Sequence, residues 1–219
     1  MTRRPIVLFV GLMALAAFAI GAFLYVRLTD EPTKPPTLIV ADSLVRDHSP
    51  IIGPVDARVT IVEFFDPSCE ACRAFYPIVK QILAQFPKDV RLVLRYTPLH
   101  EGSDEAVRIL EAARLQGKFE PVLEALLERQ PEWAMHGAPD LEKAWAVAGD
   151  AGLDVAQARR AANLPEIEAV LKQDIADVAA NGVRQTPSFF VNGKTLTKFG
   201  PQELYDLVRS EVALLRSRP

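Results

Sequence analysis

The chain has only two cysteines, Cys69 and Cys72, and the Cys69-Glu70-Ala71-Cys72 motif sits at the junction of a run that reads as a buried strand and one that reads as an amphipathic helix. Val59 to Phe65 is rich in β-branched and aromatic residues and apolar on both faces apart from Glu63, as a strand covered on both sides requires. From Cys69 to Phe86, apolar side chains recur at Phe75, Ile78, Val79, Ile82, Leu83 and Phe86, a helical stripe that Pro87 closes. Val90 to Tyr96 then alternates as a second core strand, so the segment predicts a βαβ unit with parallel strands. The dithiol motif falls at the mouth of its helix.

A CxxC pair has three readings: half of a zinc site, a structural disulfide, or a redox-active dithiol. Zinc needs about four ligands, and with His48, His100 and His136 far apart in sequence the count is hard to make up, so no metal site is expected. A structural crosslink closing so short a loop gains little chain entropy. Exchange chemistry is left, with no cofactor beyond the Cys69-Cys72 pair itself. At a helix N-terminus the Cys69 sulfur faces unpaired backbone N–H groups and the positive end of the dipole, which favours its thiolate; Cys72, one turn further in, is the shielded sulfur. Arg73 adds to this stabilisation, whereas Glu70 and Asp66 oppose it. Glu63 is a carboxyl on an otherwise apolar strand, suited either to exchanging a proton with Cys72 or, on a sheet edge, to reaching water. Thr186-Pro187 precedes a strand; its local sequence favours a trans turn, since only ~5–6% of X-Pro bonds in folded proteins are cis.

The remaining sequence supplies context. Ile6 to Val26 carries no charged or amide residue, and at ~1.5 Å per residue such a run spans the ~30 Å of a bilayer core. Arg3 and Arg4 before it keep the N-terminus cytoplasmic. We therefore expect an anchor over residues 1–27, or alternatively a signal peptide cut after Ala17-Phe18-Ala19, then a proline-bearing extended tether over 28–48, with a short strand at Thr37 to Val40, and a domain over 49–219. Ser49 to Ala57 reads as a loop. Helices are expected at Asp104 to Gln116, Phe119 to Gln130, Asp140 to Ala151, Asp154 to Ala162 and Pro165 to Ala180, with Asp140 and Asp154 as N-caps, forming a helical insert at about 101–182. Ser188 to Val191 and Lys194 to Thr197 flank Asn192-Gly193 as a type I′ hairpin, and Pro201 to Leu215 is a closing helix. Trp133 and Trp145 read as core or groove residues of the insert, and the three histidines as surface or loop residues. With 25 Lys+Arg against 28 Asp+Glu there is no basic surface to neutralise a phosphate backbone, which argues against nucleic acid as a partner.

From about Ser49 to Val208 the chain resembles the DsbA family of exported thiol-disulfide oxidoreductases, on the stretches SPIIGPVDARVTIVEFFDPSCEAC, LRYTPLHEGSDEAVRILEAARLQGKF and GVRQTPSFFVNGK. The resemblance implies a thioredoxin fold, α/β, with a helical subdomain inserted before the hairpin. It implies Cys69 and Cys72 as the redox pair, Glu63 as the acid buried beneath them, Glu70 and Ala71 as the active-site dipeptide, and Thr186-Pro187 as a cis-proline loop that faces the disulfide and receives substrate. It further implies thiol-containing unfolded exported proteins as substrates, a membrane redox partner akin to the DsbB oxidase or the DsbD reductase, and a bacterial inner-membrane location facing the periplasm, or a soluble periplasmic one if the N-terminus is cleaved. Many strong oxidants of this family carry histidine in the dipeptide, where this chain has Glu-Ala. A dithiol oxidase is the first expectation, a reductase or isomerase the second, and a nonredox chaperone-like or copper-handling module the third. A monomer is expected, because residues 27–58 leave no room for a dimerisation domain.

Overall fold

The proline- and glycine-bearing stretch expected as a loop contains a short strand, Ile51–Ile52 (β1), in the computed structural model, which describes residues 43–217 together with Met13, Phe18 and Ile20. Its pairing accounts for it. β1 runs antiparallel to the strand Val90–Tyr96 (β3), with Ile51 opposite Val93 and Ile52 opposite Leu92, so that Ile52 turns into the core. On the other side of β3 lies Val59–Phe65 (β2), parallel to it from Val59 opposite Val90 to Phe65 opposite Tyr96. Parallel pairing demands a crossover, and the helix Glu70–Gln85 (α1) supplies it.

Between β3 and the next strand the chain is helical: Ser103–Leu115 (α2), Phe119–Glu128 (α3), Gln130–Trp133 (α4), Leu141–Asp150 (α5), Val155–Ala161 (α6) and Pro165–Ala180 (α7). This is the expected insertion. The Asp140 and Asp154 side chains cap α5 and α6 by accepting from the backbone N–H of Lys143 and Gln157, each at 2.9 Å. The helix expected to continue from Phe119 to Gln130 instead stops at Glu128, and Gln130-Pro131 opens α4, where the missing proline N–H costs least. Ser188–Val191 (β4) then pairs antiparallel with β2 and turns through Asn192 and Gly193, at φ 48° and 78°, into Lys194–Thr195 (β5). These positive angles are those of a type I′ turn. Pro201–Arg216 (α8) closes the chain. The five-stranded sheet has the order β1-β3-β2-β4-β5, with β2 at its centre.

Alternation along β2 divides the core. Ile61 and Phe65 join Leu92, Leu94 and Tyr96 under α1, α8 and the insert, and Trp133 and Trp145 are buried in the same cluster. Val62 and Phe64 face the other way, packing with Leu44, Val93 and Phe190. On that second side the fully buried Arg95 donates to Asp174 and Asp177 of α7 at 2.8 and 2.6 Å, while Arg46 and His48 reach the same two carboxyls. Segment 43–49 is thereby fastened to the domain.

The chain divides into two compact units, Met1–Pro35 and Pro36–Pro219. In the first, Met13, Phe18 and Ile20 are helical and exposed. The expected anchor at Ile6 to Val26 otherwise lies outside the described residues, as do the early tether and the strand at Thr37 to Val40. No helix among the described residues is long and apolar enough to cross a membrane.

Candidate active site

Cys69 is the N-cap of α1, in extended conformation and with no side-chain cap, so the first N–H groups of the helix are left to the sulfur. Both cysteines are free. Cys72 is fully buried; Cys69 retains 6% of its surface. It is the more open sulfur but deeper than its position at a helix mouth suggests, because the Thr186 carbonyl oxygen lies over it and accepts from its thiol at 3.3 Å. The Thr186-Pro187 peptide bond is cis. A trans bond is what the local sequence favours, and the resemblance is what points to cis.

Hydrogen bonding from the Cys72 thiol is the largest influence on Cys69; against the opposing effect of burial, and helped by the Thr186 side chain and the backbone amides of Cys72 and Ala71, it lowers the Cys69 pKa from 9.0 to about 5. Cys72 moves the opposite way. Burial first, then its bond to Cys69 and the charges of Glu63 and Cys69, push its pKa far up, although the backbone N–H of Asp66 approaches its sulfur at 3.5 Å. One sulfur is therefore held as an anion and the other as its proton-bearing partner. The helix amides expected to favour the thiolate do contribute, behind the Cys72 thiol. The Arg73 Nε is buried without a hydrogen-bond partner among the described residues.

Glu63 lies on the central strand, opposite Leu94 on β3 and Phe189 on β4, so the alternative of a sheet edge reaching water is excluded. It is 1% exposed, and neither carboxyl oxygen has a hydrogen-bond partner among the described residues. Burial chiefly, and the Cys69 anion secondarily, raise its pKa from 4.5 to about 8. This is the environment of a carboxyl that exchanges a proton near neutrality.

Two anchors hold the loop from the outside. The Gln130 amide, buried in α4, donates to the carbonyls of Pro67 and Cys69 at 2.8 and 3.0 Å. Asp66, fully buried, accepts at Oδ1 from the Ser68 N–H and the Ser103 hydroxyl (2.8 and 2.6 Å) and at Oδ2 from the N–H groups of Leu99 and His100 (2.8 and 3.1 Å). Gln130 escapes the sequence reading, and Asp66 is read there only as a charge opposing the thiolate, not as the anchor of the loop. The Asp-x-Ser spacing before the first cysteine was a signal for the Asp66 turn, and Pro131 was the signal that Gln130 opens a helix. The histidines lie in loops as expected, but His100 and His136, distant in sequence, have ring centroids 5.7 Å apart, and His100 Nδ1 lies 2.7 Å from Asp66 Oδ2. Among the described residues no three His, Cys, Asp or Glu side chains come together as a metal site.

The thioredoxin family model matches residues 46–209. The chain belongs to the thioredoxin family. Among solved structures, a thioredoxin-like oxidoreductase from Silicibacter pomeroyi DSS-3 superposes with a TM-score of 0.68 at 33% identity, covering 83% of this chain and 100% of that one. BdbD from Bacillus subtilis shares the fold, with a TM-score of 0.67 at 22% identity over 75% of this chain and 93% of that one. A curated relative, the Na(+)/H(+) antiporter NhaA of Herminiimonas arsenicoxydans, is 35% identical over 68% of this chain but only 23% of its own length. The chain thus spans about a quarter of that antiporter, whose named activity describes a much longer protein. This thioredoxin-family chain carries a helical insertion between β3 and β4.

Proposed function

We propose that this thioredoxin-family protein is an exported thiol-disulfide oxidoreductase that exchanges disulfides with substrate proteins through Cys69 and Cys72, acting as a dithiol oxidase. The observation that carries this reading is the opposed environment of the two sulfurs, with Cys69 lowered to about 5 and Cys72 pushed far up above a buried acid. A substrate thiolate attacks Cys69 of the disulfide; the S–S bond breaks, and Cys72 leaves with the electron pair and takes a proton from Glu63. A second substrate thiolate then attacks the substrate sulfur of the mixed disulfide and expels Cys69, whose low pKa makes it a good leaving group. The substrate is oxidised by two electrons and the enzyme is reduced. A membrane redox partner reoxidises it, and the apolar run at Ile6 to Val26 holds the domain on the periplasmic side of the inner membrane.

Substrate would enter beside the cis-proline loop. There a cleft of about 310 Å³ is lined by Val183, Gln185, Pro187, Phe189, Leu196 and Phe199. Phe199, 46% exposed, packs against Phe75 of α1 with ring centroids 4.8 Å apart, and Leu99 and Met135, in the segments that carry His100 and His136, are further exposed apolar side chains. Such a surface suits the apolar side chains of an unfolded chain. A reductase or isomerase is the second reading, favoured by the Glu70 anion beside Cys69.

The test is equilibration of the full chain in glutathione buffers of graded poise. A potential toward the oxidising end supports the oxidase and a low one the reductase. Undiminished exchange activity in Cys69→Ser would remove both.

A further inference from the structure

Glu70, the dipeptide residue next to Cys69, carries the charge that opposes a thiolate, and the dipeptide holds no cation. The fold brings two imidazoles to the same rim from elsewhere. His100, in the loop between β3 and α2, is fixed from two directions: its backbone N–H donates to Asp66 Oδ2 at 3.1 Å, and its ring Nδ1 lies 2.7 Å from the same oxygen. Asp66 is immobilised in turn by Ser68, Leu99 and Ser103. Beyond His100, the His136 ring lies at 5.7 Å between centroids, and His136 Nε2 is 3.6 Å from Glu70 Oε1. The line Asp66, His100, His136, Glu70 runs from the buried turn before Cys69 to the residue after it.

Among the described residues, the charged and titratable groups that act on or face His100 are Asp66, Cys69 and Glu70 from the β2–α1 junction and the start of α1 and His136 from the segment after α4, while Glu101 and Asp104 follow it in sequence. Burial of His100 pushes its pKa down, but the hydrogen bond to Asp66 and the charges of Asp66, Cys69 and Glu70 outweigh it, and the net direction is up. The ring is thus biased toward the cation where a thiolate needs one.

We propose that His100 is the positive partner of the Cys69 thiolate, supplied by the loop across the rim in place of a dipeptide cation, and that its proton is taken up and released with the redox state of the sulfurs. The proposal rests on the thiol-disulfide reading of this site. In the reduced protein the state is Cys69 thiolate, Cys72 thiol and His100 imidazolium. Oxidation by the disulfide of a redox partner forms the Cys69–Cys72 bond and passes two electrons to that disulfide. The Cys72 proton and the His100 proton then balance the partner's two new thiols. By reciprocity, whatever His100 does for the thiolate the thiolate does for the His100 proton. His100 acts through its charge and touches no reacting atom.

Two measurements on the full chain test this. NMR titration of the imidazoles is expected to place the His100 pKa about half a unit or more higher in the reduced than in the oxidised protein, since the nearby anion exists only in the former. Thiolate absorbance is expected to show the Cys69 pKa rising by about one unit in His100→Gln, with a roughly tenfold shift of the glutathione equilibrium toward the disulfide form. The Gln amide keeps a donor for Asp66 and removes only the charge, so a purely structural role would leave both readouts unmoved. Equal His100 titration in the two redox states overturns the proposal, and because it is read on the wild-type protein it stands even if the variant fails to fold. A wild-type protein that exchanges with glutathione while His100 stays unresponsive sinks this inference alone, whereas a wild-type protein that does not exchange sinks the functional reading beneath it.

Discussion

Glu63 makes stability depend on pH in a direction opposite to that of most carboxyls. Its folded pKa of about 8 lies above the ordinary 4.5 because burial penalises the charged form and the Cys69 anion adds to that penalty. Between those two values the folded chain binds a proton that the unfolded chain has released, so the full stability is present below pH 4.5 and is lost as pH rises through 8. At about 1.4 kcal/mol per unit, the loss is roughly 3 kcal/mol by pH 7 and on the order of 5 kcal/mol once Glu63 is ionised. Part of it belongs to the Cys69 anion, so the disulfide form should lose less. The perturbation is Glu63→Leu, which removes the ionisable group and leaves no unpartnered polar atom, with Glu63→Gln as the isosteric control. The assay is urea unfolding of reduced and oxidised protein at pH 5 and pH 8. Glu63→Leu is expected to gain several kcal/mol over wild type at pH 8 and much less at pH 5, while thiol exchange at neutral pH slows ~10²-fold for want of the Cys72 proton partner. If wild type and variant show parallel stability across that interval, Glu63 is not the buried acid described here, and its proposed part in catalysis goes with it.

Three further outcomes are expected. Cys72→Ala should leave Cys69 able to attack but not to be released, so that incubation with a mixed-disulfide substrate accumulates a covalent adduct visible by mass spectrometry. Glu70→His should lower the Cys69 pKa below about 5 and shift the glutathione equilibrium toward the dithiol, by exchanging an anion for a cation at the helix mouth; an increase in that pKa would show the electrostatics to be wrong. Arg95→Met should cost about 3–5 kcal/mol in urea unfolding, since it strands the buried Asp174 and the nearly buried Asp177 without their shared guanidinium.

The sequence disclosed the parts of this site that depend on local pattern and left the rest to tertiary structure. Strand, dithiol and helix could be read because β-branched runs, apolar spacing and Pro87 are local signals, as were the Asp140 and Asp154 caps and the Asn192-Gly193 turn. β1 could not be read: a strand this short carries no periodicity, and it exists because the edge of β3 was open to it. The burial of Glu63 followed from strand order, which places β3 and β4 on either side of β2, and alternation along one strand does not reveal its neighbours. His100 and His136 belong to segments that meet only because Asp66 draws the Leu99–His100 backbone inward and Gln130 seats α4 against the dithiol loop.

Those two attachments tie the dithiol loop to the helical insertion. The loop bearing the sulfurs is hooked by Asp66 to the start of α2 and by Gln130 to α4, so its depth is set by bonds that end in the insert. The placement of α2 and α4 and the depth of Cys69 therefore share one linkage, and a shift of either helix would be carried to the sulfur.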